Sequence, residues 1–209
     1  MARRARHPLY VAGGCAVTAH TRAALIWPPS LVLPSERASL ALYLGLIGTL
    51  ACLALGSPAD ALPGAVLSFG LAWAAMVDID RFILPDVITL GLVVVGLGAA
   101  LSDGELALQS RVIGAAVGYG SLALLAGSYQ RLRGRSGLGM GDAKLLASGG
   151  AWLGWTALPA ILLIASLSCL AFVGAKALMR GGKMPSGAIP FGPYLAGSMW
   201  LLFLLLPGV

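Results

Sequence analysis

Long apolar blocks separated by short charged turns are the feature of this chain that most constrains its fold. Only 11% of its 209 residues are charged and 58% are apolar, whereas about a quarter of a soluble domain is charged. A helix needs about 20 apolar residues to cross the hydrocarbon of a bilayer, which is close to the length of these blocks. Within hydrocarbon, each segment must satisfy its own backbone hydrogen bonds. We therefore predict an all-α fold, a polytopic membrane helical bundle.

Seven such blocks predict about seven transmembrane helices, with six and eight as the limits of the count. We place them approximately at residues 39–56, 64–77, 87–101, 112–129, 143–155, 160–178 and 189–206. The chain is thereby divided into an N-terminal cytoplasmic or interfacial segment, residues 1–38, and a transmembrane domain, residues 39–209. The N-terminal segment does not resemble a signal peptide, because His20, Arg22 and Pro28-Pro29 interrupt its apolar stretch.

Charge alternates from one loop to the next and predicts the orientation of the helices. The loops after the second, fourth and sixth blocks are basic, whereas those on the opposite side are mainly acidic. Basic loops favour the cytoplasmic side of a membrane. The net charge of +6 therefore indicates membrane topology and contact with membrane lipids, and not binding of nucleic acid. Asp78 and Asp142 each lie at an end of an apolar block, and both fall on the predicted cytoplasmic side.

Asp142 lies in the sequence Gly139-Met140-Gly141-Asp142, directly before an apolar helix. Free N–H groups stabilise a carboxylate at a helix N-terminus, so capping alone could explain an isolated Gly-Asp pair. Two observations favour a functional carboxylate: the glycines let another segment come close, and acidic residues at the edge of a bilayer are usually functional. Asp78 follows an apolar run, and a helix C-terminus disfavours an anion, so capping does not explain Asp78.

Two neighbouring carboxylates can cleave a peptide bond without a metal or another cofactor. The ionised one takes a proton from water, and the protonated one donates a proton to the peptide carbonyl. Carboxylates about 3 Å apart do not both ionise readily, so such a pair holds one proton. A His-based triad or a metal site is not predicted, because His7 and His20 lie outside the predicted bundle and the three cysteines form no CxxC pair.

Three stretches of this sequence resemble motifs of the type IV prepilin peptidases, which are bacterial GxGD aspartic proteases. The stretch from Gly139 to Ala147, GMGDAKLLA, resembles their GxGD motif. Asp78, with Pro85 seven residues later, resembles their first aspartate motif. The stretch IPFGP, residues 189–193, resembles their C-terminal motif. GxGD alone is not specific, but the three stretches in this order on a membrane scaffold are, and the resemblance covers residues 64–200.

This resemblance implies a prepilin leader peptidase with Asp78 and Asp142 as the catalytic pair. Its substrates would be the N-terminal segments of type IV prepilins or pseudopilins, which serve pilus assembly and type II secretion. The basic leader would be removed at the cytoplasmic face of the bacterial inner membrane. Many members also N-methylate the new N-terminus and carry a zinc-binding insert with two CxxC pairs. This sequence contains neither the insert nor a CxxC pair, which argues against N-methylation.

Other residues of these motifs are candidates for substrate binding or for a structural role. They are Gly139, Gly141, Lys144, Pro85, Pro190, Gly192 and Pro193. Lys144 could tune the catalytic pair or bind a lipid phosphate, and Pro85 restricts the backbone before the third block. The proline and glycine residues of the last motif could line a substrate groove or only begin the last helix.

Three other functions are compatible with parts of this pattern. An intramembrane GxGD protease that cuts within a transmembrane helix would need its aspartates deeper in the apolar blocks. A small transporter would carry charges in the middle of its spans, and often an internal repeat, and neither is visible here. An assembly factor without catalytic activity would have no need of both aspartates.

Overall fold

The computed structural model describes residues 33–55, 61–134, 139–181 and 188–206. These residues form seven α-helices and one 3₁₀ helix, Trp155–Ala157. The α-helices are α1 (Ser35–Leu55), α2 (Ala61–Arg81), α3 (Asp86–Asp103), α4 (Glu105–Arg133), α5 (Met140–Leu153), α6 (Leu158–Met179) and α7 (Gly192–Leu205). Most of the predicted N-terminal segment, up to residue 32, lies outside the described residues.

The helices confirm the predicted polytopic bundle. Five of them, α1 to α4 and α6, are long and apolar enough to cross a membrane. The other two, α5 and α7, have 14 residues each. At 1.5 Å per residue each is about 21 Å long, which is shorter than the roughly 30 Å of hydrocarbon. The seven helices follow the seven predicted blocks, and their ends agree within four residues except at the start of α4.

The sequence predicts a loop between the third and fourth blocks that carries Asp103, Glu105 and Arg111. This prediction is wrong. Gly104 alone separates α3 from α4, and its φ of 101° is one that glycine adopts readily. Arg111 lies within α4 and is buried, with its Nη2 2.7 Å from Asp103 Oδ2. This ion pair compensates the charge of the guanidinium, so the helix extends past a residue that hydropathy alone assigns to a loop.

Helix α5 lies at the centre of the bundle, in contact with α3, α4, α6 and α7. Every residue from 145 to 153 is buried. Because protein surrounds α5 on most sides, this helix does not need the length of a lipid-exposed span. It therefore provides a fixed support for Asp142 in its first turn.

Glycines bring the backbones of α4 and α5 into direct contact. A Cβ atom added at Gly150 of α5 would lie 2.2 Å from the carbonyl carbon and oxygen of Gly114. One turn further along α4, a Cβ atom added at Gly118 would lie 2.7 Å from the carbonyl oxygen of Leu146. Small residues four apart are a common means of close helix packing in membranes. This contact sets the position of α5 relative to α4.

We expect Gly150→Ala to destabilise the protein by about 3 kcal/mol, the upper part of the range for overpacking, because the added methyl group meets a backbone that cannot rotate away. Gly120→Ala on α4 is the matched control, since a Cβ atom there meets nothing within 4 Å. Denaturant unfolding in mixed micelles measures both variants. Equal stability of the two variants would contradict the close approach of α4 and α5.

Trp152 attaches the other end of α5 to α3. Its Nε1 donates a hydrogen bond to the Leu92 carbonyl oxygen at 2.8 Å, and the side chain is buried. Gly96 leaves room for the indole, because a Cβ atom there would lie 2.7 Å from Trp152 Cδ1. The buried indole N–H therefore has a partner, and α5 is fixed against both α3 and α4.

Candidate active site

Asp78 lies in the last turn of α2, where the helix meets the N-terminus of α7. Its side chain is buried, and its Oδ2 accepts a hydrogen bond from the Gly192 backbone N–H at 3.0 Å. Gly192 is the first residue of α7, so this N–H is one that the helix itself does not use. The positive end of the α7 dipole thus faces the carboxylate and favours its ionised form.

The chain leaves α2 by a sharp turn just beyond Asp78. The Phe82 N–H donates to the Asp78 carbonyl oxygen at 2.9 Å, and Phe82 has a φ of 55°. This left-handed conformation is uncommon for a residue with a large side chain. It directs the connector, residues 82–85, across the ends of the helices towards α5.

Asp142 is the third residue of α5 and faces back towards the start of its own helix. The backbone N–H of Gly139, the residue before the helix, faces this carboxylate. Burial and, after it, the charge of Asp78 raise the pKa of Asp142 to about 6, although the Gly139 N–H opposes the rise. The two carboxyl groups are therefore close enough for one to disfavour ionisation of the other.

Two glycines of the predicted motifs are sites of close approach. A Cβ atom at Gly192 would lie 2.7 Å from Asp78 Oδ2, so this position admits the carboxylate only without a side chain. A Cβ atom at Gly141 would lie 2.8 Å from Leu84 Cβ, which is where the connector crosses the first turn of α5. Gly139 is less crowded, since its Cβ atom would lie 3.3 Å from Asp142 Oδ2.

Asp78 and Asp142 line one cleft of about 820 Å³. Its other walls are the connector with the first residue of α3, the C-terminal half of α4, the first turn of α5, and residues 188–191 before α7. The side chains on α4 are mostly small: Ala123, Ala126 and Gly127, followed by Gln130. A cleft of this size, lined by apolar side chains and by the carboxyl groups of Asp78, Asp86 and Asp142, has room for several residues of a peptide.

The remaining predicted residues lie around this cleft in different roles. Pro190 lines the cleft, whereas Pro193, in the first turn of α7, lines a separate apolar hollow between α1, α2 and α7. Pro85 precedes α3 as its N-cap residue. The Nζ atom of Lys144 lies 2.6 Å from Asp86 Oδ1. Among the described residues, no group of three or more His, Cys, Asp or Glu side chains could hold a metal ion.

Sequence reasoning missed two parts of this site. It did not single out Asp86, which begins α3 and lines the cleft. It also could not assign the Gly192 N–H to Asp78, because the two residues are 114 positions apart. The available signal for this contact was Gly192 itself. It lies between Pro190 and Pro193, so it indicates a helix that begins at a residue with no side chain.

Comparisons with known proteins identify similar sequences. A family model described as the type IV leader peptidase family matches residues 65–174. Three relatives named prepilin leader peptidase/N-methyltransferase illustrate the similarity. The one from Aeromonas hydrophila is 43% identical over 139 residues, 66% of this chain and 48% of the relative. The one from Dickeya chrysanthemi is 44% identical over 157 residues, which are 74% of this chain and 55% of the relative. The one from Neisseria gonorrhoeae is 43% identical over 142 residues, which are 68% of this chain and 48% of the relative.

The chain spans about half the length of the curated relatives that it matches. No solved structure matches it at a significant level.

Proposed function

Because this chain belongs to the type IV leader peptidase family, we propose that it is an aspartic endopeptidase that removes the leader from type IV prepilins or pseudopilins. The observation that carries the proposal is the meeting of Asp78 and Asp142 in one cleft. They come from the ends of two different helices, both are buried, and the charge of one raises the pKa of the other. A shared proton between two such carboxyl groups is the requirement for metal-free peptide hydrolysis.

The surroundings of the two carboxyl groups suggest different roles for them. The Gly192 N–H and the N-terminus of α7 offset part of the cost of ionising the buried carboxyl group of Asp78, which suits the general base. Burial together with the neighbouring charge favours protonated Asp142, which suits the general acid. We therefore assign proton abstraction from water to Asp78 and protonation of the scissile carbonyl to Asp142.

The reaction then proceeds in two steps. Asp78 takes a proton from water as the water oxygen bonds to the carbonyl carbon, and Asp142 gives its proton to the carbonyl oxygen. A neutral tetrahedral diol results, with Asp78 now protonated and Asp142 ionised. In the second step Asp78 protonates the leaving nitrogen, the C–N bond breaks, and Asp142 recovers a proton from a hydroxyl group of the diol. The products are a carboxylic acid and an amine, and the pair is ready for another cycle.

The proposed setting is a bacterial inner membrane, with the cleft facing the cytoplasm. The basic loops support this orientation, since Arg131 and Arg133 end α4 near the cleft. The proposed partners are prepilin or pseudopilin N-terminal segments and membrane lipids. N-methylation is not part of the proposal, because no CxxC pair accompanies the peptidase motifs.

Cleavage of a panel of co-expressed prepilins and pseudopilins tests the function. We expect at least one substrate to lose its leader, seen as an electrophoretic shift, with a single new N-terminus on sequencing. Mass spectrometry of that N-terminus shows whether a methyl group is added. Absence of cleavage across a broad panel, with the protein folded in membranes, would favour a transporter or an assembly factor.

The proposed roles predict how activity depends on pH. Because Asp142 acts in its protonated form and its pKa is about 6, kcat/KM should fall as pH rises above 6, by about tenfold for each unit. We expect this descending limb for a peptide substrate in proteoliposomes equilibrated with buffer on both sides. A kcat/KM that stays constant from pH 6 to 9, at constant stability, would show that protonated Asp142 is not the acid.

A further inference from the structure

A third carboxyl group, that of Asp86, lines the cleft and has no part in the mechanism above. It belongs to the first residue of α3, and 60% of its side chain is exposed. Its Oδ1 accepts a hydrogen bond from Lys144 Nζ at 2.6 Å. This carboxylate therefore already binds an ammonium group at the edge of the site.

An ion pair as exposed as this one can exchange partners easily. Exposed pairs contribute only about 0.2–1 kcal/mol, because water solvates both charges when the pair opens. Another cation that enters the cleft can thus replace Lys144 at small cost. Lys144, 26% exposed, can then turn to solvent.

The carboxyl groups that line the cleft favour a cationic ligand, although Arg131 and Arg133 end α4 near it. The ionisable side chains that line it, among the described residues, are those of Asp78, Asp86 and Asp142. In the working state Asp142 is protonated and the charge of Asp78 is compensated by the Gly192 N–H and the α7 dipole. Asp86 is then the carboxylate that remains for a charged group of the bound peptide.

We propose that Asp86 determines specificity by binding a lysine or arginine side chain of the peptide in the cleft. Lys144 occupies the same carboxylate until the peptide arrives and so acts as an internal competitor. The inference rests on the proposed function in one respect only, namely that the cleft binds a peptide. It adds the residue that recognises positive charge near the scissile bond.

A purely structural role for the same ion pair predicts different mutational effects. If the pair only joined α3 to α5, loss of either partner would loosen the site and weaken peptide binding in both variants. If Lys144 competes with the peptide, Asp86→Asn and Lys144→Gln act in opposite directions. The sign of the Lys144→Gln effect therefore separates the two roles.

The experiment measures binding of labelled leader peptides to the full chain in phosphatidylcholine nanodiscs, with Asp142→Asn as a background that does not cut. Three peptides differ only in Lys, Gln or Glu at the basic position nearest the scissile bond. We expect Asp86→Asn to raise the Kd of the Lys peptide up to about fivefold and to leave that of the Gln peptide unchanged. Lys144→Gln should lower the Kd of the Lys peptide, and Asp86→Lys should prefer the Glu peptide.

Shifts of Kd in the same direction for Asp86→Asn and Lys144→Gln would overturn the proposal, and so would equal losses for the Lys and Gln peptides. Failure to bind any of the peptides would overturn it as well. Hydrolysis by the unmodified chain, measured on the same peptides, tests the proposed function separately. Charge-selective binding without hydrolysis would contradict the proposed peptidase function and support the role of Asp86 in specificity. Hydrolysis without charge selection would contradict only the role of Asp86.

Discussion

Asp78→Asn and Asp142→Asn are each expected to lower the rate of prepilin cleavage by at least about 10³-fold. An amide matches the carboxyl group in size and polarity but neither takes the proton from water nor donates one to the carbonyl. General acid–base catalysis contributes about 10²–10⁴-fold, and groups that act as a unit lose nearly the whole effect when one is removed. Single-turnover cleavage of a prepilin peptide in proteoliposomes measures the loss.

Asp80→Asn is the matched control for these two variants. Asp80 lies on the same turn of α2 as Asp78, but its carboxylate pairs with Arg37 at 3.3 Å and does not line the cleft. We expect it to retain most of the cleavage activity. Wild-type rates in either Asn variant of the pair would show that the reaction does not use both carboxyl groups.

Thermal stability separates a catalytic loss from a folding defect in Asp142→Asn. The pKa of Asp142 rises from 3.8 to about 6 on folding, so folding favours the protonated carboxyl group. That contribution is complete below pH 3.8 and is lost as pH rises through 6. At neutral pH the buried carboxylate therefore destabilises the protein, and the Asn variant should melt at the same temperature as wild type or higher. A clear drop would point to misfolding.

The sequence was sufficient to predict the helices of the described residues apart from the start of α4, whereas the catalytic role of the two aspartates stays a prediction. Apolar blocks of bilayer length leave few alternatives to helices, because hydrocarbon offers no partner for free backbone groups. The alternation of basic and acidic loops placed Asp78 and Asp142 on one side of the membrane. In the structure both line one cleft, as that prediction requires.

Contacts between distant segments could not be predicted in the same way. Hydropathy treats α5 as one more span, whereas the structure buries it among four other helices. Gly114, Gly118 and Gly150 allow the close approach of one of them, α4. Hydropathy also placed the start of the fourth helix after Arg111, because it does not include the compensation of this charge by Asp103. Lys144 could not be assigned to Asp86, since a single sequence carries no information on pairs 58 residues apart.

The second large effect is expected for Gly192→Ala, which should lower kcat by about 100-fold. A methyl group at this position would lie 2.7 Å from Asp78 Oδ2 and 3.0 Å from Asp78 Cγ. Either the carboxylate or the start of α7 must move, and the hydrogen bond from the Gly192 N–H is then strained or lost. Misplacement of a catalytic group by about 1 Å can cost 10²-fold. Steady-state cleavage at saturating substrate measures kcat.

Gly197→Ala on the same helix distinguishes this local effect from a general effect of alanine on α7. A Cβ atom at Gly197 meets nothing within 4 Å, and alanine favours helix by up to about 1 kcal/mol relative to glycine. We expect Gly197→Ala to cleave at the wild-type rate and to be as stable or slightly more stable. Gly192 is the first residue of α7, so a loss of kcat seen in Gly192→Ala and not in Gly197→Ala points to the clash with Asp78. If Gly192→Ala also cleaved at the wild-type rate, the α7 N-terminus would have no part in holding the general base.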